Sequence, residues 1–501
     1  MYVLNAQQVR EWDTYTTQHE SVASIDLMER AASKCVEWIE KQQWQKNSFK
    51  VFCGKGNNGG DGLAIARLLY ELDYSVTVYI IEFGKAGSED FQINLQRLHE
   101  VDFTQIHFLQ SKENFPLIST DDILIDALFG SGLNRALEGV SAELVDHINH
   151  SKALTVSIDL PSGLFIDQSS KGNKVVEADY ILTFQCYKLG LLMQENALFI
   201  GEVHLLNIGL HPEYLQDQNF EKVFVEEDFI KKIFKQRNQF AHKGSFGHAL
   251  IIAGSYGKMG AAVLAAKACL HSGVGLLTCY IPKCGYTIMQ TTLPEAMVLT
   301  DENETMVAQL PNDIEKYSVL GIGPGIGTSG ETQNLTSFVC RRYKKPLVID
   351  ADGLNCLSLQ KDLLQQLPPY SILTPHPKEF DRLFGDHSND FERLETAKQK
   401  SRQLNLVIVL KSHHTAILSP NGNCFFNSTG NAGMAKGGSG DVLTGIITSL
   451  VAQNYSPEHA AILGVYLHGL AGDFAANALG QHSMIASDLV SFLSQSFLSL
   501  K

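Results

Sequence analysis

KVFCGKGNNGGDGLAIARLLYEL, residues 50–72, decides the fold. A short apolar run ends at Cys53. The loop GKGNNGGDG, residues 54–62, follows, and then a stretch with helical spacing of Leu, Ile and Ala. Strand, glycine loop, helix is the layout that turns backbone N–H groups toward an anion and leaves a helix start behind them. The loop is not GxGxxG, so a standard dinucleotide fingerprint is absent. Asn57, Asn58 and Asp61 add carbonyl and carboxylate oxygens that a plain phosphate loop does not need.

The same rhythm recurs on either side in two blocks, which indicates α/β layers around parallel sheets. The first block opens with helical patterns at 6–19 and 25–42. Strands follow at 50–53, 75–81, 123–125, 154–158 and 180–184, with a last one inside GEVHLLNIGLH, 201–211. Residues 212–225 are polar without clear periodicity, so a boundary is placed near 218, giving domains 1–218 and 222–501. The second block has strands at 248–253, 276–280, 317–321, 346–349, 370–373 and 406–410. A hairpin pairs 415–418 with 424–427 through Pro420, Asn421 and Gly422. Each strand leads into a loop rich in Gly, Asp, His or Pro, where ligands bind in open α/β sheets.

Composition narrows the class. The 501 residues are 44% hydrophobic and 19% charged, enough for large packed cores. Net charge is −14 with no long basic run, which argues against nucleic acid or an anionic membrane as partner. Nine scattered cysteines without a CxxC pair fit reduced thiols in a cytoplasmic protein, not a disulfide frame or a zinc site. The first residues lack a signal-peptide pattern, and no apolar run is long enough to span a membrane.

Two carboxylates and a hydroxyl stand at later strand ends of the first block. IDALFGSGLNRAL places Asp126 before a second glycine loop, and SIDLPSGL places Asp159 and Ser162 around Pro161. Asn58, Asp126 and Ser162 could hold a hard cation, or they could cap helices. Lys188 reads as a solvated strand-end lysine in preference to a second polar contact. In the second block, GNAGMAKGGSGDVLTG, 430–445, sets Asp441 between a glycine loop and a helix start. A phosphate suits that place, and Asp441 beside it could take a proton from a hydroxyl, or simply serve as the N-cap. VIDADGLN places Asp350 and Asp352 at a strand end, where Asp350 could only satisfy loop N–H groups. LTPHPKEF sets His376 before a helix, and VLKSHHTAIL offers Lys411 and Thr415.

Through NNGGDG, DALFGSGL and DLPSG, residues 1–215 resemble the NAD(P)H-hydrate epimerase domain, which has a Rossmann-like fold. The ordered series from about 226 to 499 resembles the ADP-dependent NAD(P)H-hydrate dehydratase domain, which has the ribokinase-like fold. The resemblance implies interconversion of the R and S hydrates of NADH and NADPH, then ADP-dependent dehydration of the S form. It implies epimerase substrate contacts at Asn57, Asn58, Gly59, Gly60, Asp61, Gly130, Ser131, Gly132, Leu133, Asn134, Arg135, Ala136 and Asp159, the last as acid–base group. Potassium ligands fall on Asn58, Asp126 and Ser162. Dehydratase substrate contacts fall on Ala253, Gly325, His376 and Asp441, with Asp441 the base. Nucleotide contacts fall on Lys411, Ser412, His413, His414, Thr415 and Gly440. Serine stands at 412 where the family usually has glycine, a difficulty if that position needs φ > 0. Magnesium is expected with the ADP co-substrate, although the sequence shows no dedicated metal cage. A homo-oligomer is expected, of an order the sequence does not give.

Two rivals carry different chemistry. One is a ribokinase-like vitamin or sugar kinase fused to a dinucleotide-binding domain, since that fold does not fix function. The other is a non-catalytic dinucleotide sensor, which has no need of Asp159 and Asp441 beside an anionic ligand.

Overall fold

Two helices open the chain. α1 (Ala6–Glu20) starts at Asn5, whose side chain accepts from Gln8 N while the Gln8 side chain accepts from Asn5 N, a reciprocal cap. α2 (Ser24–Glu40) follows, burying Leu27, Ala31, Ala32, Cys35 and Ile39 along one face. The computed structural model describes residues 1–216, 218 and 220–501. It divides into two compact units, 2–220 and 221–501, the latter together with Met1. Asp217 and Asn219, within the stretch read as a linker, lie outside the described residues.

The first unit continues with β1 (Ser48–Cys53), α3 (Asn57–Glu71), β2 (Ser75–Ile81), α4 (Glu89–Glu100), β3 (Ile106–Leu109) and β4 (Ile123–Ala127). After these come α5 (Gly139–Ser151), β5 (Leu154–Ile158), β6 (Ala178–Phe184) and β7 (Ile200–Leu206). The strands form one sheet in the order β3-β2-β1-β4-β5-β6-β7, and every pairing is parallel. Side chains alternate across it: Phe49 and Val51 pack in one core and Phe52 in the other. Both faces are covered, which is why these strands read as near-continuous apolar runs. The order reverses between β1 and β4, so the loops after Cys53 and Ala127 open side by side at the carboxyl edge.

The second unit begins with β8 (Lys222–Val225) and α6 (Glu227–Ile233). It proceeds through β9 (His248–Ile252), α7 (Met259–His271), β10 (Leu276–Ile281), α8 (Tyr286–Thr292), β11 (Met297–Thr300) and β12 (Val319–Ile322). Then come α9 (Gly330–Arg342), β13 (Leu347–Ile349), α10 (Ala351–Leu359), β14 (Ile372–Leu373), α11 (Pro377–Phe384) and α12 (Asp390–Leu404). It closes with β15 (Val407–Leu410), β16 (Ala416–Leu418), β17 (Cys424–Asn427), α13 (Ser439–Ala452), α14 (Pro457–Leu479) and α15 (Ala486–Leu498). Its ten strands run β11-β10-β9-β12-β13-β14-β15-β16-β17-β8. The expected hairpin is present, with Ile417 opposite Phe425. β8 adds to β17 in parallel, within the stretch expected to be only linker. Here the switch lies between β9 and β12. α13 is buried on almost every side, as its Val, Ile and small residues allow.

Candidate active sites

In the first unit the glycine loop is closed by contact with its own start. A Cβ on Gly59 would stand 1.8 Å from the Gly54 carbonyl oxygen, so the loop admits no side chain there. α3 then begins at Gly56 without a side-chain cap, so Asn58 does not serve as one. The neighbouring cleft encloses about 380 Å³ and includes Asn57 and Asp61 in its wall. Most of the rest of its wall comes from helices no motif marked, with Phe184 of β6 and Ile208 completing it. Arg10, Asp13, Thr14 and Thr17 of α1, and Ser24, Leu27, Met28 and Ala31 of α2, each follow i, i+3, i+4, i+7 spacing. Gly59 and Gly60 are buried beneath the loop, and residues 130–136 do not line this cleft.

Asp159 follows β5 with φ of 65°, a left-handed conformation that aspartate tolerates better than most residues. Lys188 donates to its Oδ1 at 2.5 Å, to Thr183 Oγ1 at 2.8 Å and to the Phe184 carbonyl at 2.8 Å. Lys188 is 0% exposed. It is a buried, fully satisfied counter-charge and not the solvated lysine expected from its place after β6. Facing this pair, Asp13 has no hydrogen-bond partner among the described residues. Burial, and then the Asp159 charge, push its pKa up to about 7. Burial likewise pushes Asp61 well above the ordinary carboxylate range, with Asp159 and Asp13 adding to the shift.

The oxygens of the expected cation set converge. Ser162 Oγ donates to Asp126 Oδ1 at 2.5 Å and Ser162 N to Oδ2 at 2.8 Å. Ser162 Oγ accepts from Phe129 N at 2.8 Å. A Cβ on Gly130, next along, would lie 3.1 Å from Asn58 Cγ. None of the three caps a helix. The Asn58 amide nitrogen is buried without a partner; as a donor it asks for an acceptor, so a cation here would be held by Asn58 Oδ1 with the oxygens of Asp126 and Ser162, a set of hard ligands. Asp126 also accepts from Ser157 Oγ and Leu128 N, so a cation would share its oxygens with these donors.

In the second unit α13 starts from Gly438, whose φ of 94° turns the chain into the helix. Asp441 lies in the first turn but caps nothing. Its carboxyl has no hydrogen-bond partner among the described residues. Burial first, then Asp350, push its pKa up to about 7, while Lys411 pulls the other way. Asp350 bonds no loop N–H through its side chain. Oδ1 accepts from Lys411 Nζ at 2.9 Å and Oδ2 from Thr444 Oγ1 at 2.8 Å. Burial alone would lower the Lys411 pKa, but Asp350 and then Glu379 raise it above the usual value.

His376 caps α11 by an uncommon reciprocal pair. Its Nδ1 accepts from Glu379 N at 3.2 Å and Glu379 Oε2 accepts from His376 N at 2.9 Å. An accepting Nδ1 makes the ring neutral with its proton on Nε2, in line with burial lowering its pKa. Ala253 and Gly325 sit together across the sheet switch, where Gly254 N donates to the Pro324 carbonyl and Ser255 Oγ to the Gly325 carbonyl. A Cβ on Gly440 would lie 3.5 Å from Lys411 Nζ, which brings that pair to the helix start as well. Ser412 is not among the residues with positive φ, so serine there is unstrained. Thr415 Oγ1 closes the turn against Ser412. His413 is exposed. His414 packs under the hairpin on the Asn427 carbonyl, with burial pushing its pKa down to about 4.

The loop itself is anchored by its own Lys436 and by Asp473, which no motif marked. Lys436 Nζ donates to the carbonyls of Gln481, His482 and Met484. Asp473 accepts from Gly430 N and Asn431 Nδ2, both at 2.9 Å. Nothing in the local sequence of α14 distinguishes Asp473 from a surface aspartate.

Known proteins align with both units. A family model described as NAD(P)H-hydrate dehydratase matches residues 249–495. One described as YjeF-related protein N-terminus matches 24–190. A bifunctional NAD(P)H-hydrate repair enzyme of Moorella thermoacetica is 35% identical, covering 98% of this chain and 96% of its own. An ADP/ATP-dependent NAD(P)H-hydrate dehydratase of Bacillus subtilis, co-crystallised with ATP and Mg2+, is 31% identical with a TM-score of 0.49, covering 56% of this chain and 99% of that one. A ribokinase-like superfamily protein of Enterococcus faecalis is 28% identical with a TM-score of 0.50, covering 57% of this chain and 98% of that one. The second unit is thus ribokinase-like, as expected.

Proposed function

The chain belongs to the bifunctional NAD(P)H-hydrate repair enzymes, and from that premise we propose that its two units share the repair. The first interconverts the R and S hydrates, with Asp159 as an acid–base group, the 57–61 loop holding substrate through Asn57 and Asp61 at the cleft, and the 130–136 loop, packed on Asn58 at Gly130, extending that contact beyond the cleft. The second dehydrates the S hydrate with ADP. The observation that carries this second role is the uncapped Asp441 carboxyl at the α13 start, beside Lys411 and Asp350.

Hydroxide leaves poorly from carbon, so it must first become a better leaving group. Asp441 takes the hydroxyl proton while the oxygen attacks the terminal phosphorus of ADP, and the bridging P–O bond breaks to release AMP. The helix start and the Gly440 N–H stabilise the charge on the transferring group. The ring C–O bond then breaks, its electron pair leaves with phosphate, and loss of a proton from the adjacent carbon restores the double bond. Ala253, Gly325 and His376 position the hydrate, His376 through its Nε2–H. Lys411, Ser412, His413, His414, Thr415 and Gly440 form the nucleotide end, where Lys411 keeps N–H groups for phosphate and His414 shapes the hairpin from below. Magnesium would arrive on the nucleotide phosphates, since the described residues hold no group of three His, Cys, Asp or Glu suited to a metal ion.

In the first unit Asn58, Asp126 and Ser162 would hold potassium, which supplies positive charge against the substrate's pyrophosphate. The set has one formal charge, which suits a weakly charged ion. The reading extends to a homo-oligomer, checked by light scattering. No described helix is long and apolar enough to cross a membrane, and cytoplasmic placement remains part of the proposal.

The test supplies the R hydrate of NADH to the full chain. Return of the reduced-nicotinamide absorbance only when ADP is added supports both halves. Return from S hydrate but not from R hydrate would remove the epimerase role. ADP consumed with no return would remove the dehydratase role.

A further inference from the structure

Epimerisation inverts one carbon, and one carboxylate serves only one face of a ring. Hydration of an enamine double bond puts the hydroxyl on the carbon attached to nitrogen, because protonation of the other carbon leaves an iminium that water attacks. The reverse is open to the same carbon. If an acid protonates the hydroxyl, the C–O bond breaks, its electron pair leaves with water, and the nitrogen lone pair forms the C=N bond. Water then adds to the other face, the C=N pair returns to nitrogen, and a base takes the surplus proton. The sum neither adds nor removes atoms or charge, and the only co-reactant is water. It requires two groups, one acid and one base, whose roles exchange in the opposite direction.

The first unit holds such a pair. Asp13 stands on the cleft-facing side of α1, with Asn57 and Asp61 in the same wall. Asp159 stands at the end of β5, its Oδ1 held by Lys188, and no described residue bonds its Oδ2. The two belong to different elements, and Asp159 lies directly behind the cleft wall, where Phe184, a wall residue, donates its N–H to Oδ1 at 3.4 Å. Asp13 lies upstream of the family-model match at 24–190. We propose that Asp13 is a second catalytic residue of epimerisation, giving a proton to the hydroxyl on one face of the hydrated ring while Asp159 accepts one from water on the other. This rests on the epimerase role assigned to the first unit.

Asp13 meets the needs of an acid. It has no protein hydrogen bond to satisfy, and burial beside Asp159 keeps it protonated up to about pH 7. The charged groups around it are Asp159 and the Lys188 ammonium, with Arg10 one turn away on α1, Asp61 on α3 and Asp90 on α4 in the same cleft. Asp90 is engaged by Ser24 Oγ at 2.7 Å, which leaves Asp13 and Asp61 as the unbonded carboxyls there.

The test uses the full chain, with R-to-S conversion followed by chromatography and the ADP-dependent step as internal control of folding. Asp13→Asn is expected to slow epimerisation about 10²-fold or more in kcat, to leave dehydration of S hydrate unchanged, and to erase the decline of the rate above about pH 7. Asp13→Glu should restore part of the rate and the pH limb together. In ¹⁸O-water the converted hydrate should carry the label. Asp13→Asn keeping more than about a tenth of the rate, or slowing it with the pH limb intact, overturns the proposal. Conversion without label overturns it too. If Asp159→Asn also leaves epimerisation unchanged, the epimerase reading of the unit fails. If Asp159→Asn abolishes it and Asp13→Asn does not, only the role of Asp13 fails.

Discussion

The two units build the same electrostatic arrangement from unrelated pieces. In each, a carboxylate clamped by a lysine stands beside a second carboxyl that none of the described residues bonds. In the first the clamp is Asp159–Lys188 at 2.5 Å, and in the second Asp350–Lys411 at 2.9 Å. The unbonded neighbours, Asp13 and Asp441, are both pushed up to about 7 by burial and then by the clamped carboxylate. Strained backbone accompanies both clamps, with φ of 65° at Asp159 and 47° at Ala351 after Asp350. The lysines differ. Lys188 is fully buried with Asp159, Thr183 and Phe184 taking its protons. Lys411 is partly exposed, and Glu379 is 3.8 Å away, too far for a second strong bond. One lysine is a sealed counter-charge, and the other keeps donors for a phosphate.

The largest effect expected from breaking this symmetry is at Asp441. Asp441→Asn keeps the shape but cannot take a proton, so dehydration should fall by ~10²–10⁴-fold while epimerisation continues. Single-turnover assays with S hydrate and ADP check it, and retention of more than about a tenth of the rate removes Asp441 from the base role.

Next come the lysines. Lys188→Met leaves Asp159 buried without its partner, a loss of about 3–5 kcal/mol of stability in the first unit. Lys411→Met also leaves a buried carboxylate, Asp350, with only Thr444 as donor, so it too should cost stability, and in addition it should raise the KM for ADP, which Lys188→Met should not. Thermal unfolding and ADP titration on both variants check this, and a KM for ADP unchanged in Lys411→Met or raised in Lys188→Met would dissolve the contrast between sealed and available lysine.

The pH limbs should run in opposite directions. Asp441 must be ionised to act as base, and with its pKa raised to about 7 dehydration should rise through that value and be weak below it. Asp13 must be protonated to act as acid, so R-to-S conversion should fall through about 7 as the pH rises. Rate profiles of the two half-reactions on one preparation test this, and parallel limbs would refute the assigned roles.

Potassium should separate the units further. Epimerisation is expected to drop when sodium replaces potassium at matched ionic strength, and Asp126→Ala should remove the difference together with most of the activity. Dehydration need not share this dependence. Equal epimerisation rates in both salts, with Asp126→Ala still active, would leave Asp126 and Ser162 as loop-bracing residues only.

The smallest effect is expected from Ser412→Gly. Its backbone is not left-handed, so the family's usual residue should change the KM for ADP by about twofold or less. A larger gain in affinity would show that the serine does impede the nucleotide.

Interior strands and glycine loops were legible along the chain because a strand buried on both faces must be apolar throughout, and a loop that meets its own backbone, as at Gly59, must lack side chains. Asp159 and Asp441 stood out because a carboxylate beside such a loop has few structural uses. The missed strands β3, β8 and β11 are all edges of their sheets. An edge strand pairs on one side only and can be short and half-exposed; each of these spans four residues, too short a run to read as a strand by itself. Asp13, Lys188 and Asp473 were hidden for a related reason. On a helix or strand end, a polar residue that faces a cleft or a buried partner has the same spacing as one that faces water. Which it faces depends on what the rest of the chain packs against it, and only the tertiary structure decides that.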